Sequence, residues 1–260
     1  MIINSQQSCL AELNSLASAD RHSVLIEGPP GSGKSYMAKQ FADMLGISDF
    51  YSVPPNVQSI RSMIESAYNS AADVVVCIEN LDTGVASASF TLLKFLEEPT
   101  SNVYVVVTCR NRYNVPDTII SRSSCVTSTA PTEADIAAYA ATCDKFKFAK
   151  LEHREVWKAV SSFNDVDTLL KFSDAQIDYF DALKSMLSFK DSVSSLSWKL
   201  THFNDNSAID PAFVLGYIFR TTTSSRIRRY AVACMKDLMS ANVASHAVLS
   251  KFLMECKYGD

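Results

Sequence analysis

The eight residues Gly28-Pro29-Pro30-Gly31-Ser32-Gly33-Lys34-Ser35 fit the pattern G-x-x-x-x-G-K-[ST], whose residue types suit one job, cradling phosphate. Backbone N–H groups converge on phosphate oxygens only where side chains leave room, and three of the chain's seven glycines fall between Gly28 and Gly33. In such a loop the N–H groups of residues 31 to 35 wrap the phosphates, Lys34 reaches the β- and γ-phosphates, and the Ser35 hydroxyl holds Mg²⁺. A nucleoside triphosphate with Mg²⁺ is the expected ligand. A glycine-rich turn without a ligand is the bland alternative, and the flanks argue against it. Val24-Leu25-Ile26 reads as a buried strand entering the loop, and Met37, Phe41, Met44 and Leu45 follow at helical spacing.

A second constellation is Val74-Val75-Val76-Cys77-Ile78-Glu79, an apolar strand that ends in a carboxylate. It lies about 45 residues past the loop, where a Mg²⁺-binding acid belongs in P-loop proteins. Many buried strands end in a solvated acidic residue, so Glu79 gains its meaning from the P-loop.

These residues need a frame to hold them. Three strand-like runs, Val24 to Ile26, Val74 to Ile78 and Val103 to Thr108, alternate with helical patterns at 35–45, 57–70 and 86–97, with a further helix at 2–18. That alternation predicts a parallel sheet with helices on both faces, an α/β nucleotide-binding domain over 1–130. Pro131-Thr132-Glu133-Ala134-Asp135 then joins a breaker to a Thr-x-x-Asp start resembling a capping box. Everything beyond it reads as helical. Helices at 132–142, 152–162 and 165–172 form a small unit over 131–172, and helices at about 174–189, 191–203, 209–221, 224–240 and 243–257 form another over 173–260. Phe213, Leu215, Ile218, Tyr230, Met235, Leu238 and Leu249 are read as core of that last series.

Composition bounds the partners. At 260 residues and 47% hydrophobic the chain can bury one large core or two to three small ones. Its seven cysteines are scattered and never form C-x-x-C, which points to reduced thiols in a cytoplasmic protein rather than a zinc site. No apolar stretch approaches the roughly 20 residues that span a bilayer, and Met1 to Ser8 lacks a basic-then-apolar leader, so neither membrane insertion nor export is expected. A net charge of −4 excludes an autonomous DNA binder of the basic-patch kind. Nucleic-acid contact would have to come from a few placed residues or from several subunits together.

Leu92-Leu93-Lys94-Phe95-Leu96-Glu97-Glu98-Pro99, then the strand Val103 to Thr108, then Pro116-Asp117-Thr118-Ile119-Ile120-Ser121-Arg122-Ser123 resemble the AAA+ ATPase subunits of DNA-polymerase sliding-clamp loaders, of the gamma and delta-prime kind. Ile60-Arg61-Ser62-Met63-Ile64-Glu65 resembles the same family, and residues 224–256 resemble its helical collar. The resemblance is strong over 22–125 and weak beyond 130. It implies an AAA+ P-loop domain, a helical lid at 131–172 and an all-α collar at 173–260 that assembles with other loader subunits. It further implies a sliding clamp and primer-template DNA as partners in DNA replication. By the same resemblance Arg122 supplies an arginine finger to ATP on a neighbouring subunit, Thr108 helps position the attacking water, and Arg61, with Lys94, faces DNA. An arginine fork matches a γ-phosphate whose charge redistributes during transfer.

Departures from the family pattern are equally specific. Where family ATPases carry Asp-Glu, this chain has Glu79-Asn80; Glu79 can hold Mg²⁺, but the Asn80 amide cannot accept a proton from water. Asp82 lies close by and is the candidate substitute. Where the family places a lid arginine the chain offers Asp167, and Arg154 is the only arginine between 131 and 172. The zinc insert of bacterial loader subunits is missing and the N-terminal segment is short, the pattern of a reduced, for example phage-encoded, loader. Two functional readings follow: an ATP-driven clamp-loader subunit, or an ATP-binding subunit that hydrolyses little and lends Arg122 to a neighbour. A P-loop kinase for a small metabolite would leave the 92–123 pattern and the helical tail without a role.

Overall fold

The computed structural model describes residues 4–97, 100–174, 176–178, 211–239 and 245–258. The chain forms two compact units, Met1–Asp135 and Ile136–Asp260. Glu98-Pro99 of the family-like pattern, most of the expected 174–189 helix and all of the expected 191–203 helix lie outside the described residues.

The first unit is built on a five-stranded sheet: β1 (Ser23–Glu27), β2 (Asp49–Val53), β3 (Val74–Ile78), β4 (Val103–Cys109) and β5 (Ser124–Thr127). Its order is β2-β3-β4-β1-β5, with every pairing parallel. The central strands β3 and β4 are buried along their whole length, because both faces are covered.

Strand direction decides which face each helix covers. The chain moves from β1 out to β2 through α2 (Lys34–Leu45), then returns through α3 (Val57–Tyr68) to β3 and α4 (Ala86–Glu97) to β4, and finally through α5 (Asp117–Ile120) to β5. Right-handed crossovers running in opposite directions put α2 on one face and α3, α4 and α5 on the other. The two cores agree. Met37 and Phe41 of α2 pack with Cys9 and Leu13 of α1 (Gln7–Ser18) against Val24, Ile26, Val75, Cys77 and Val106. Ile60, Leu92, Phe95 and Ile119 pack against Leu25, Val74, Val76, Val105 and Val107. Alternate residues of each strand therefore feed different cores, as a pleated strand requires.

Helix ends follow local chemistry. The Asn56 side chain accepts the Ser59 N–H at 2.8 Å and starts α3. Gly46, at φ +73, ends α2 and lets the Ile47 N–H return to the Ala42 carbonyl at 3.0 Å. The Thr-x-x-Asp start is reciprocal: Thr132 Oγ1 and N–H both donate to Asp135 Oδ2, and the Asp135 N–H donates to Thr132 Oγ1.

The second unit contains α6 (Glu133–Cys143, which begins just before the boundary), α7 (Lys145–Leu151), a 3-10 turn Glu155–Ala159, α8 (Phe163–Leu169), α9 (Pro211–Thr221), α10 (Ser225–Met239) and α11 (Ser245–Tyr258). The expected helix at 152–162 is instead α7 followed by the 3-10 turn. Asp144 caps α7 through the Lys147 N–H at 2.9 Å, so the helix starts earlier and has ended by Leu151. Phe213, Leu215, Ile218 and Leu249 are buried in one cluster with Leu151, Val156 and Leu169, and Tyr230, Met235 and Leu238 pack against it. No described helix is long and apolar enough to cross a membrane.

Candidate nucleotide-binding site

The glycine-rich loop leaves the C-terminal end of β1 and runs straight into α2, whose first residue is Lys34. Gly31 and Gly33 have φ of +73 and +86, a left-handed backbone that side chains oppose. Gly28 is constrained differently: a Cβ there would lie 2.4 Å from the Ser128 carbonyl oxygen. The loop is clasped from outside as well. The Gly28 N–H donates to the Cys109 carbonyl at 3.1 Å, Ser128 Oγ donates to the Ser32 carbonyl at 3.0 Å, and Gln6 Nε2 donates to that same carbonyl at 2.9 Å. Gln6, Ser32 and Ser128 are all buried. Loop shape is therefore set by the N-terminal segment and the residue after β5.

Lys34 is buried beneath this loop, with Nζ donating to the carbonyls of Gly28 and Pro29, each at 2.8 Å. Burial pushes its ammonium pKa down, and Arg110 adds to that shift, while the carboxylates of Asp82 and Glu79 oppose it. Ser35 lies exposed in the first turn of α2, and Pro29 and Pro30 are exposed on the loop. Free N–H groups at a helix start, a positive dipole end and a lysine suit a polyphosphate.

The neighbouring strand ends supply the rest. Glu79 follows β3 and accepts a hydrogen bond from Ser52 Oγ at 2.8 Å. Asn80 has φ 48 and ψ 52, and its N–H donates to Thr108 Oγ1 at 2.9 Å. Thr108 is buried near the end of β4, in register with Ile26 of β1. Asp82 turns its Oδ2 to the backbone N–H groups of Arg110 (3.1 Å) and Asn111 (3.3 Å), while its Oδ1 is buried without a partner. Glu27, the last residue of β1, is held by Arg112 through Nε at 2.6 Å and the backbone N–H at 3.0 Å. The P-loop, Glu79, Asn80 and Thr108 thus meet at the C-terminal ends of the central strands.

Arg122 does not join them. It precedes β5, at the opposite end of the sheet from the loop, a separation of roughly 15 Å for a five-residue strand. Its guanidinium donates to the Thr118 carbonyl at 3.0 Å and to Glu97 at 3.3 Å. Arg61 on α3 and Lys94 on α4 are exposed, and neither forms an ion pair among the described residues. In the second unit Asp167 accepts the Tyr139 hydroxyl at 2.9 Å, and Arg154 pairs with Asp178 at 2.6 Å. Gln6, Ser128 and Arg112 were not legible in the sequence, because serines, glutamines and arginines carry no spacing that marks them as loop supports.

The family model described as DNA polymerase III, delta subunit, matches residues 54–131, and that described as magnesium chelatase, subunit ChlI, matches residues 3–74. No curated protein matches in sequence. Among solved structures, a DNA polymerase III gamma subunit-related protein from Thermotoga maritima superposes with a TM-score of 0.60 at 16% identity, over 95% of this chain and 98% of that one. The chain therefore shares the fold of that gamma subunit-related protein, a parallel α/β sheet with flanking helices followed by a helical C-terminal region.

Proposed function

We propose that the chain binds ATP with Mg²⁺ at the β1–α2 loop and serves as one subunit of an assembly that loads a sliding clamp onto primer-template DNA. The observation that carries this reading is the loop itself, glycines at positive φ leading to the start of α2 with Lys34 beneath. In this reading the N–H groups of residues 31 to 35 surround the phosphates, and Lys34 exchanges its loop carbonyls for the β- and γ-phosphate oxygens. Ser35 and Glu79 would hold Mg²⁺, which when bound neutralises charge on the β- and γ-phosphates. Thr108 Oγ1 already accepts the Asn80 N–H, so its own proton is free to orient a water. Residues 131–172 act as the lid and 173–260 as the collar that joins neighbouring subunits. Arg61 and Lys94 face the DNA.

Arg122 lies too far from its own P-loop to act there, which favours a role on the ATP of an adjacent subunit. Its pair with Glu97 is about half exposed and worth at most about 1 kcal/mol, so a phosphate can displace it cheaply. A specific observation favours a second reading, in which the subunit hydrolyses slowly. Asn80 stands where a proton acceptor is needed, and Asp82 spends one carboxylate oxygen on two backbone N–H groups.

The test is ATP binding and steady-state hydrolysis by the purified chain, with and without a candidate clamp and primer-template DNA, alongside Lys34→Ala and Arg122→Ala. Turnover that rises with clamp and DNA and vanishes in both variants supports a motor subunit. ATP bound through Lys34 with no turnover under any condition leaves the structural subunit. No ATP binding at all would sink both.

A further inference from the structure

We propose that Arg110 is a second phosphate-binding cation of the nucleotide site, acting beside Lys34 in the same chain; this rests on the ATP-binding reading of the loop. Register places it there. Glu27 pairs with Cys109 across β1 and β4, and the Gly28 N–H continues that ladder to the Cys109 carbonyl at 3.1 Å, so Arg110 follows the strand end directly beside the first glycine of the loop. Tyr104 and Val106 of β4 pack on the α2 face, and Arg110, the residue after the strand end, lies close enough for its charge to act on the Lys34 ammonium.

Its backbone is pinned while its side chain is free. The Arg110 N–H is held by Asp82 Oδ2 at 3.1 Å, and the guanidinium is exposed, with no hydrogen bond or ion pair among the described residues. Nearby cations differ: Lys34 is buried against the loop carbonyls, and Arg112 is committed to Glu27. A triphosphate with one Mg²⁺ retains about two negative charges, and Glu79 and Asp82 add more at this end of the central strands. One lysine does not balance that; an arginine fork within reach of the phosphates does.

The experiment is competition against a fluorescent ATP analogue by ATP and by inorganic tripolyphosphate, using the full chain, Arg110→Ala, Arg110→Lys and Lys34→Ala, over a salt series. Loss of one charge-assisted contact corresponds to about tenfold weaker binding. Arg110→Ala is expected to weaken ATP and tripolyphosphate by the same factor and to flatten the salt dependence. Arg110→Lys should recover part of the loss, which a merely structural role would not give, and the thermal melt should not move. Unchanged affinity for both competitors in Arg110→Ala, while Lys34→Ala abolishes binding, overturns this inference and leaves the loop reading standing. Binding absent in the unmodified chain overturns both.

Discussion

In the proposed mechanism turnover hinges on Asn80, whose backbone constrains how that role can be tested. At φ 48 and ψ 52 it occupies a left-handed conformation that asparagine and aspartate tolerate better than other side chains with a Cβ. A glutamate there adds a carboxylate but also strain on the order of 1 kcal/mol, so Asn80→Asp is the cleaner change. If the missing acceptor limits hydrolysis, Asn80→Asp raises the phosphate-release rate by about tenfold or more, with ATP affinity and melting temperature little altered. An unchanged rate would mean that chemistry is not the slow step. Lys34→Ala, in contrast, should weaken ATP by about a hundredfold or more in a titration, since it removes the buried cation and leaves two carbonyls without their donor.

Among elements, the β1–α2 connection separates two kinds of glycine. Gly28→Ala drives a Cβ to within 2.4 Å of the Ser128 backbone oxygen, so it should cost about 1–3 kcal/mol in a urea titration and also impair ATP binding. Gly46→Ala meets nothing within 4 Å and changes only a φ of +73 at the end of α2. It should cost about 1 kcal/mol and leave ATP binding intact. Equal effects of the two on binding would show that loop shape does not govern the site. The sheet's edges explain two strands missed in the sequence. β2, Asp-Phe-Tyr-Ser-Val, has no fully buried residue, and β5, Ser-Cys-Val-Thr, buries only Val126. Edge strands lack the apolar run that revealed β3 and β4.

At the scale of the whole molecule, Arg122 and the buried thiols make separate predictions. Because Arg122 stands at the far end of the sheet, Arg122→Ala should leave ATP affinity of the isolated chain unchanged while lowering turnover of an assembled ring by about a thousandfold, measured by phosphate release. Equal loss in the isolated chain would place its action in cis. Burial pushes the Cys9 thiol up from 9.0 to about 11 and the Cys77 thiol to about 12. The Tyr104 hydroxyl rises from 10.0 to about 12, chiefly because it donates to Asp20 at 2.6 Å. Each folded pKa lies above its unfolded value, so between pH 9 and 12 the unfolded chain binds fewer protons and stability falls as pH rises. Urea midpoints should drop between pH 8.5 and 10.5, and less so in a Tyr104→Phe, Cys9→Ala variant.

The sequence by itself determined the place of the glycine-rich loop between strand and helix and the order of α/β then helical parts. Phosphate cradling needs only contiguous residues, and a buried parallel strand writes itself as an unbroken apolar run. The roles proposed for Asn80 and Arg122 have a different source, a resemblance carried by local motifs. Tertiary structure alone decided what supports the loop and which residues share the C-terminal end of the sheet. Ser128 reaches Ser32 across 96 residues of sequence, Asp82 reaches Arg110 across 28, and Gln6 reaches Ser32 across 26. Such contacts depend on strand order, and strand order is set by the handedness of the crossovers and by which faces the helices bury, a property of the whole packed unit rather than of any segment.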